Sequence, residues 1–359
     1  MMKLNDREWK PCRLSKLGKI ESGRDIYALE RLDGDIPYIT SGSQNNGIGY
    51  FVNNKNDTYD KGYIAFNRNG AVGLAFYHPY WSVMGNDCRK LHLSEADGNL
   101  YVGIFVATAI SMQSKSFSYS RKLGTGRANK LQIMLPVTDN NQPDYQFMED
   151  YVRGIMSVKR QQYKDYAKKQ LESIGLDDDN QGGYSDEYNP YKWLPFYVVE
   201  IFPQNGRGKR LKKADHVQGN VPYASSTGDN NGIDGFIDAS EGTRVFSDCI
   251  SLANSGSVGS AFYEPFAFVA SDHVTHLKSD RFSKWHYLFL CCVLKQQASN
   301  YNFNREINDA RLNKMQIMIP ITSDDQPDYD LMEKFGKNTM VKKYNQYLKY
   351  LKNVDNDRN

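Results

Sequence analysis

Residues 111–130 read SMQSKSFSYSRKLGTGRANK, with five basic side chains, no acidic ones, and Phe117 and Tyr119 set among Arg121, Arg127 and Lys130. The chemistry open to such a stretch is the grip on a polyanion. Arginine offers paired donors to a guanine edge or a phosphate, Asn and Gln reach adenine, and Ser, Lys and backbone N–H groups hold phosphate oxygens. A solvated charged loop has the same composition, so one copy alone decides nothing. A second copy exists. Residues 295–314 (KQQASNYNFNREINDARLNK) keep Tyr301, Phe303, Asn304, Arg305, Arg311 and Lys314, with four basic residues against two acidic. Both stretches retain Arg-x-x-x-x-x-Arg-x-x-Lys in the same register, which favours a shared task.

Six further loops, three in each half of the chain, hold candidates. Ser22-Gly23 precedes Arg24, and Asn205-Gly206 precedes the basic run Arg207, Lys209, Arg210, Lys212 and Lys213. The shared Gly-Arg suggests a common loop, although a variable surface loop fits equally well. Ser41, Gln44 and Ser226 sit beside Asn46-Gly47 and Asn231-Gly232, dipeptides expected in tight turns. Arg68 and Ser255 lie in polar loops ahead of a shared apolar run.

Catalytic signatures are missing. Gly208-Lys209 is followed by Arg210, which excludes a phosphate-binding P-loop. Asn189-Pro190-Tyr191 resembles an amino-methyltransferase motif but lacks its second proline. Pro143-Asp144 and Pro327-Asp328 lack the spaced acid-x-Lys pair of a nuclease, and helix capping accounts for both aspartates. His273-x-x-His276 has no repeat counterpart, so no metal site is expected there.

The elements that must position these loops come in duplicate. Residues 129–145 (NKLQIMLPVTDNNQPDY) return at 313–329 (NKMQIMIPITSDDQPDY) with 11 of 17 positions identical. Residues 36–51 return at 221–236 with eight identities in 16, and 67–80 return at 253–266 with seven in 14. Offsets of 184 to 186 mean that one large unit was duplicated, since solenoid repeats run at roughly 20–50 residues. The expected fold class is α/β (mixed α+β), with two duplicated domains and a pair of long helices, each of which could supply the other's partner. The expected boundaries are 1–144 for the first domain, 145–174 for a helix, 175–190 for an acidic Gly-containing linker, 191–328 for the second domain and 329–354 for a second helix. Short apolar runs at 17–20, 37–40, 49–52, 62–66, 72–77 and 91–93 read as strands, and each 129-type junction reads as a buried strand closed by its proline. Residues 100–112 and 285–294 are apolar all round and too short to span a bilayer, so each reads as a buried helix. The long helices carry narrow stripes: Met148, Val152, Ile155, Met156, Tyr163 and Tyr166 in one, Met332, Phe335, Met340, Tyr347 and Tyr350 in the other.

Length and composition set the outer bounds. A chain of 359 residues suits two domains, and a net charge of +3 confines any polyanion footprint to local patches. Five dispersed cysteines without C-x-x-C fit reduced thiols in a cytoplasmic protein, and the N-terminus has no secretory apolar region.

With its paired domains, each ending in I-x-[LI]-P-[VI] and followed by a helix, the chain resembles the specificity (S) subunits of restriction–modification systems. The twice-repeated N-K-x-Q-I-M-x-P junction looks nearest to type IIB and short type I-like members. The resemblance implies two target-recognition-type domains separated by a pair of long antiparallel helices, in a subunit that is not itself an enzyme and reads a bipartite, asymmetric double-stranded DNA target, one half with each domain. It implies methyltransferase (M) and restriction (R) subunits as partners, which would carry S-adenosylmethionine and Mg, and it implies no membrane. Helices of roughly 25 residues at 1.5 Å rise would span ~38 Å, about one DNA turn. Two other readings stay open: an enzyme that modifies DNA by itself, and a duplicated carbohydrate- or protein-binding module.

Overall fold

The structure is a computed structural model that describes residues 2–175, 191–239, 243–302 and 304–356. The expected linker at 175–190, apart from Gly175, lies outside the described residues, as does Phe303. The chain divides into two compact units, Met1–Lys164 and Asp165–Asn359.

In the first unit, β1 (Glu8–Arg13) leads through a single helical turn, α1 (Leu14–Leu17), to β2 (Ile20–Ser22). The apolar run at 17–20, read above as one strand, is thus split between the end of a helical turn at Leu17 and the start of β2 at Ile20. Leu14 and Leu17 sit three apart and both bury, which a strand's alternation would forbid. There follow β3 (Asp33–Ile39), β4 (Ile48–Val52), β5 (Tyr63–Asn67), β6 (Ala75–His78), β7 (Val83–Met84) and β8 (Cys88–Leu91). Then come α2 (Leu100–Ser111), α3 (Thr125–Ala128), β9 (Gln132–Val137) and α4 (Tyr145–Ile174). Strand β6 starts only at Ala75, because 70–73 form a turn in which Gly70 and Gly73 take positive φ. One sheet has the order β2-β8-β5-β6, a second β4-β3-β7, and β1 pairs antiparallel with β9 from Glu8–Val137 to Arg13–Gln132. Pro136 lies inside β9 instead of closing it; a two-stranded ribbon leaves one edge where a proline costs no ladder bond.

Helix α2 is the centre of the core. Tyr101, Val102, Phe105, Val106 and Ile110 bury against β5, β6 and β9, and Trp9 stacks on Phe105 at 5.9 Å. All-round apolarity is what a helix enclosed in this way requires. Asp144 caps α4 by accepting from the Phe147 N–H at 2.9 Å, and Met148 and Val152 join the same core.

The second unit repeats the plan. Its elements are β10 (Trp193–Tyr197), α5 (Val198–Ile201), β11 (Gln204–Arg207), β12 (Gln218–Ala224), β13 (Ile233–Ile237), β14 (Val245–Phe246), β15 (Cys249–Ala253), β16 (Ala261–Glu264), β17 (Phe268–Ala270) and β18 (Val274–Lys278). They continue as α6 (Lys284–Gln296), α7 (Asp309–Leu312), β19 (Gln316–Pro320) and α8 (Tyr329–Asn356). Sheets β11-β18-β15-β16 and β13-β12-β17-β14 match those of the first unit, with β14 as an added edge, and β10 pairs with β19. Trp193 stacks on Phe289 at 6.2 Å, in the place of Trp9 on Phe105. Asp328 caps α8 through the Leu331 N–H at 2.9 Å.

The apolar stripe expected on α8 needs correction. Met332 and Tyr344 bury and so does Leu351, whereas Tyr347 and Tyr350 are exposed and stack on each other at 5.6 Å. The phenol heads allow these tyrosines to stay wet, so aromatic character misled the stripe. Within the second unit Tyr166 of α4 meets Tyr344 edge-on at 6.2 Å. All five cysteines are free thiols. Among the described residues, no helix is long and apolar enough to cross a membrane.

Candidate nucleic-acid interface

A backbone frame gathers the candidate loops of the first unit. After β5, the Arg68 N–H donates to the Asp87 carbonyl at 2.8 Å, and the Arg68 carbonyl accepts from the Leu123 N–H at 3.1 Å. The Ser41 carbonyl accepts from the Ala71 N–H at 3.1 Å, and Asn67 Nδ2 donates to the Gly42 carbonyl at 2.9 Å. Gly70 holds φ +60, and a Cβ there would stand 2.6 Å from Ser41 Oγ, so only glycine lets the two loops close. Arg24 joins through its N–H to the Met84 carbonyl at 2.8 Å.

The second unit builds the same frame. The Asn254 N–H donates to the His273 carbonyl, the Asn254 carbonyl accepts from Ile307, and the Ser226 carbonyl accepts from Ser257, at 2.8, 2.9 and 2.9 Å. Gly256 repeats the φ +60 pinch against Ser226 Oγ at 2.6 Å. The frame also corrects one register. Gly23 N–H donates to Cys88 and Arg24 N–H to Met84; Gly208 N–H donates to Val274 and Lys209 N–H to Ala270. Arg24 is therefore the structural counterpart of Lys209, not of Arg207, and the Gly-Arg similarity in sequence runs two residues out of step.

Side chains on this common frame differ. Arg68 is half-buried, with Nη2 paired to Asp87 Oδ1 at 3.1 Å and a buried Nε that has no partner among the described residues. Its counterpart is Asn254, and Asp87 is replaced by His273, whose Nδ1 lies 2.7 Å from Ser255 Oγ. Ser255 is itself buried. Exposed Arg24 stands 3.6 Å from Asp57, and Gln44 is exposed at the β3–β4 turn, where its carbonyl accepts from the Gly47 N–H.

The basic segments after α2 and α6 each form a short reversal, closed by the bridge Ser118–Arg121 in the first unit and Asn302–Arg305 in the second. Tyr119 is 77% exposed, and Lys122 Nζ lies 4.8 Å over its ring. Arg305 lies 5.8 Å from the Tyr301 ring centroid, and Asn304 is exposed beside it. Arg127 Nη1 donates to the Lys122 carbonyl and Arg311 Nη1 to the Glu306 carbonyl, both at 2.7 Å. The repeated arginine thus has a hold on its own loop. Arg121, Lys130 and Lys314 are exposed.

Arg89, which sequence reasoning passed over, completes the site of the first unit. Arg89 is 5% exposed and donates to Thr125 Oγ1 at 2.8 Å and to the Asn86 and Cys88 carbonyls. Burial lowers its pKa, and Arg68 nearby adds to that. In the second unit Arg207 does the same work, with Nε 2.7 Å from Asp309 Oδ1 and Nη2 on the Ile307 carbonyl. A cleft of about 450 Å³ opens beside the frame of the second unit and takes in Ser226, His273 and the basic run that includes Lys212. Only the charge of that run marked it in the sequence.

Two β-rich units, each carrying variable polar side chains on one shared backbone frame beside a basic reversal, define a duplicated recognition protein. The chain belongs to the type I restriction modification DNA specificity domain family, whose model matches residues 6–164 and 190–350. It is 32% identical over 149 residues to the "Type II restriction enzyme BgcI specificity subunit S.BcgI" of Heyndrickxia coagulans, a match that covers 42% of this chain and 44% of that one. The chain thus spans under half the length of this relative. A type I restriction–modification S subunit from M. genitalium is similar at 15% identity and a TM-score of 0.47, over 99% of this chain and 96% of that one. The HsdS subunit of Thermoanaerobacter tengcongensis is similar at 12% identity and a TM-score of 0.32, over 98% and 92%.

Proposed function

We propose that this chain is the DNA-specificity component of a restriction–modification assembly. Each unit reads one half of a bipartite, asymmetric duplex target, and the chain directs methyltransferase (M) subunits and a restriction (R) subunit to it. Membership of the family supports this reading, and one observation carries it further. Equivalent backbone hydrogen bonds at 68, 87 and 123 and at 254, 273 and 307 present unlike side chains, as two readers of unlike half-sites require. The chain performs no catalytic step in this reading. S-adenosylmethionine and Mg belong to the partner subunits.

The test uses the full chain in two assays. Selection from a randomised duplex pool should enrich two unlike short motifs at a fixed separation. Incubation of the pure chain with DNA, S-adenosylmethionine and Mg²⁺ should yield neither methylation nor cleavage. Turnover abolished by a point mutation within the chain would instead make it an enzyme, and a pool with no enriched motif would remove the specificity role.

A further inference from the structure

The cleft of the second unit opens where one residue differs from the first. In the first unit Tyr38 pairs with Tyr50 across β3 and β4; at the same register of the second, Tyr223 pairs with Gly235. The Arg31 guanidinium lies 3.9 Å over the Tyr50 ring and 5.4 Å from that of Tyr38, which fills the space. Gly235 leaves it open: a Cβ there would meet nothing within 4 Å. His216 takes the place of Arg31, with its ring 4.6 Å from Tyr223 and a buried Nε2 that has no partner among the described residues.

The chemistry of the opened cleft is specific. Arg210, Lys212 and Lys213 line it together with Asp234 and Asp272. None of these five side chains forms an ion pair or side-chain hydrogen bond among the described residues. Burial pushes the Tyr223 phenol up, and Asp272 and Asp234 add to that, which puts both carboxylates close to the floor. In the first unit the corresponding charges are absent or inverted: Asp25 stands where Arg210 does, and its Oδ1 accepts from the N–H of Asn86, the counterpart of Asp272. The volume of about 450 Å³ falls in the roughly 300–1,000 Å³ range of pockets that enclose a small ligand.

Cations alone would mark a phosphate contact blind to sequence. Carboxylates in a cleft that faces a polyanion repel it, and they favour only a group that donates hydrogen bonds. On a base edge that group is the exocyclic amine, which Asp and Glu accept from cytosine and which adenine also carries; thymine and guanine put a carbonyl there. We propose that the Gly235 cleft is the base-reading seat of the second unit. It takes an amino-bearing base on Asp234 and Asp272, with Arg210, Lys212 and Lys213 on the flanking phosphates. This rests on the specificity reading above and adds the class of base and the residues that choose it.

The experiment is selection from a randomised duplex pool with the full chain, followed by binding titrations on the enriched duplex. The Asp234→Asn, Asp272→Asn pair is isosteric and offers amide donors, so carbonyl bases should become acceptable at one position of one half-site. Discrimination there should fall by roughly tenfold or more, with the other half-site unchanged. Gly235→Tyr should weaken binding to the same half-site, and Lys212→Ala with Lys213→Ala should weaken all sequences alike. The wild-type base at the sensitive position, cytosine or adenine, names the preferred amine. Variants that keep the wild-type motif and its discrimination overturn the cleft while the specificity role stands. A wild-type chain that enriches no motif overturns both.

Discussion

Arg207 and Asp309 are separated by 102 positions, yet their side chains meet at 2.7 Å and tie β11 to the first residue of α7. In the first unit the equivalent tie, Arg89 to Thr125, starts from the neighbouring strand. Ser22 faces Arg89 across β2 and β8, and Arg207 faces Thr275 across β11 and β18, so arginine and a small hydroxyl residue have exchanged strands. What both units retain is a cation on the short helix beneath the basic reversal. The two ties should differ in strength. Arg207 and Asp309 are 35% and 77% exposed, so Arg207→Ala should cost under about 1 kcal/mol. Buried Arg89 satisfies three acceptors, so Arg89→Ala should cost about 2 kcal/mol or more. Hydrogen exchange resolved by unit measures each; equal costs would contradict this account.

The repeats also place opposite titrating groups at one buried position. His78 and Glu264 are equivalent, both essentially unexposed. Burial holds the His78 imidazole down to about 4 and pushes the Glu264 carboxyl up to about 6, where the Ser251 hydroxyl partly opposes the shift. A depressed histidine gives stability that is present above its unfolded value of about 6.5 and is lost as pH falls towards 4. A raised carboxyl gives stability that is present below its unfolded value of about 4.5 and is lost as pH rises through 6, about 2 kcal/mol in all. Acid should therefore loosen the first unit, and neutral pH should weaken the second relative to its Glu264→Gln variant. Denaturant titrations of wild type and variant at pH 4.5 and pH 7 check this. A Glu264→Gln gain as large at pH 4.5 as at pH 7 counts against it.

Arg121, Lys130, Arg305 and Lys314 separate from Arg127 and Arg311 in what their removal should do. Alanine at the first four should weaken binding to all duplexes and reduce the salt slope by about one unit per lost phosphate contact. Arg127→Ala and Arg311→Ala should in addition raise hydrogen exchange at 118–122 and 302–306 without any DNA, because each guanidinium holds a carbonyl of its own loop. An unchanged salt slope for the first set, or unchanged exchange for the second, would show which role was misassigned.

Helices α4 and α8 run for 30 and 28 residues, so each extends about 42–45 Å. If they set the distance between half-sites, four residues added to α4 beyond its core-docked Met156, with a matched insertion in α8, should lengthen the preferred spacer while both half-sites persist. Pool selection reads the outcome. A fixed spacer with binding intact would take the ruler away from these helices.

The long helices, both aspartate caps, the buried α2 and α6 and the duplication were legible because each depends on local pattern: periodicity, a capping side chain, an unbroken apolar run. The two turns at Asn46 and Asn231 were legible for the same reason, and both take positive φ. What stayed hidden depends on pairings distant in sequence. Nothing near Arg207 points to Asp309, and the Gly206-Arg207 likeness to Gly23-Arg24 concealed the true match of Gly23 with Gly208. That match exists because each glycine backs onto a carbonyl, Gly85 or Ala270, too close for a Cβ. Tyr50 and Gly235 were aligned in the sequence, but only the stacked Arg31 reveals that the exchange opens a cleft.

The ribbons β1–β9 and β10–β19 join the first and last strands of each recognition unit, Glu8 beside Val137 and Trp193 beside Pro320. Chain entry and chain exit thus lie side by side, and nearly everything that differs between the copies hangs from loops beyond that clasp. A foreign sequence of the same plan could be spliced in between the clasp strands with little loop-closure cost, provided that its buried helix keeps the seat that α2 shares with Met148 and Val152 of the helix that follows. The molecule is thus built as a holder with one cassette in each half, so a change confined between the clasp strands leaves the entry and exit of the chain where they were.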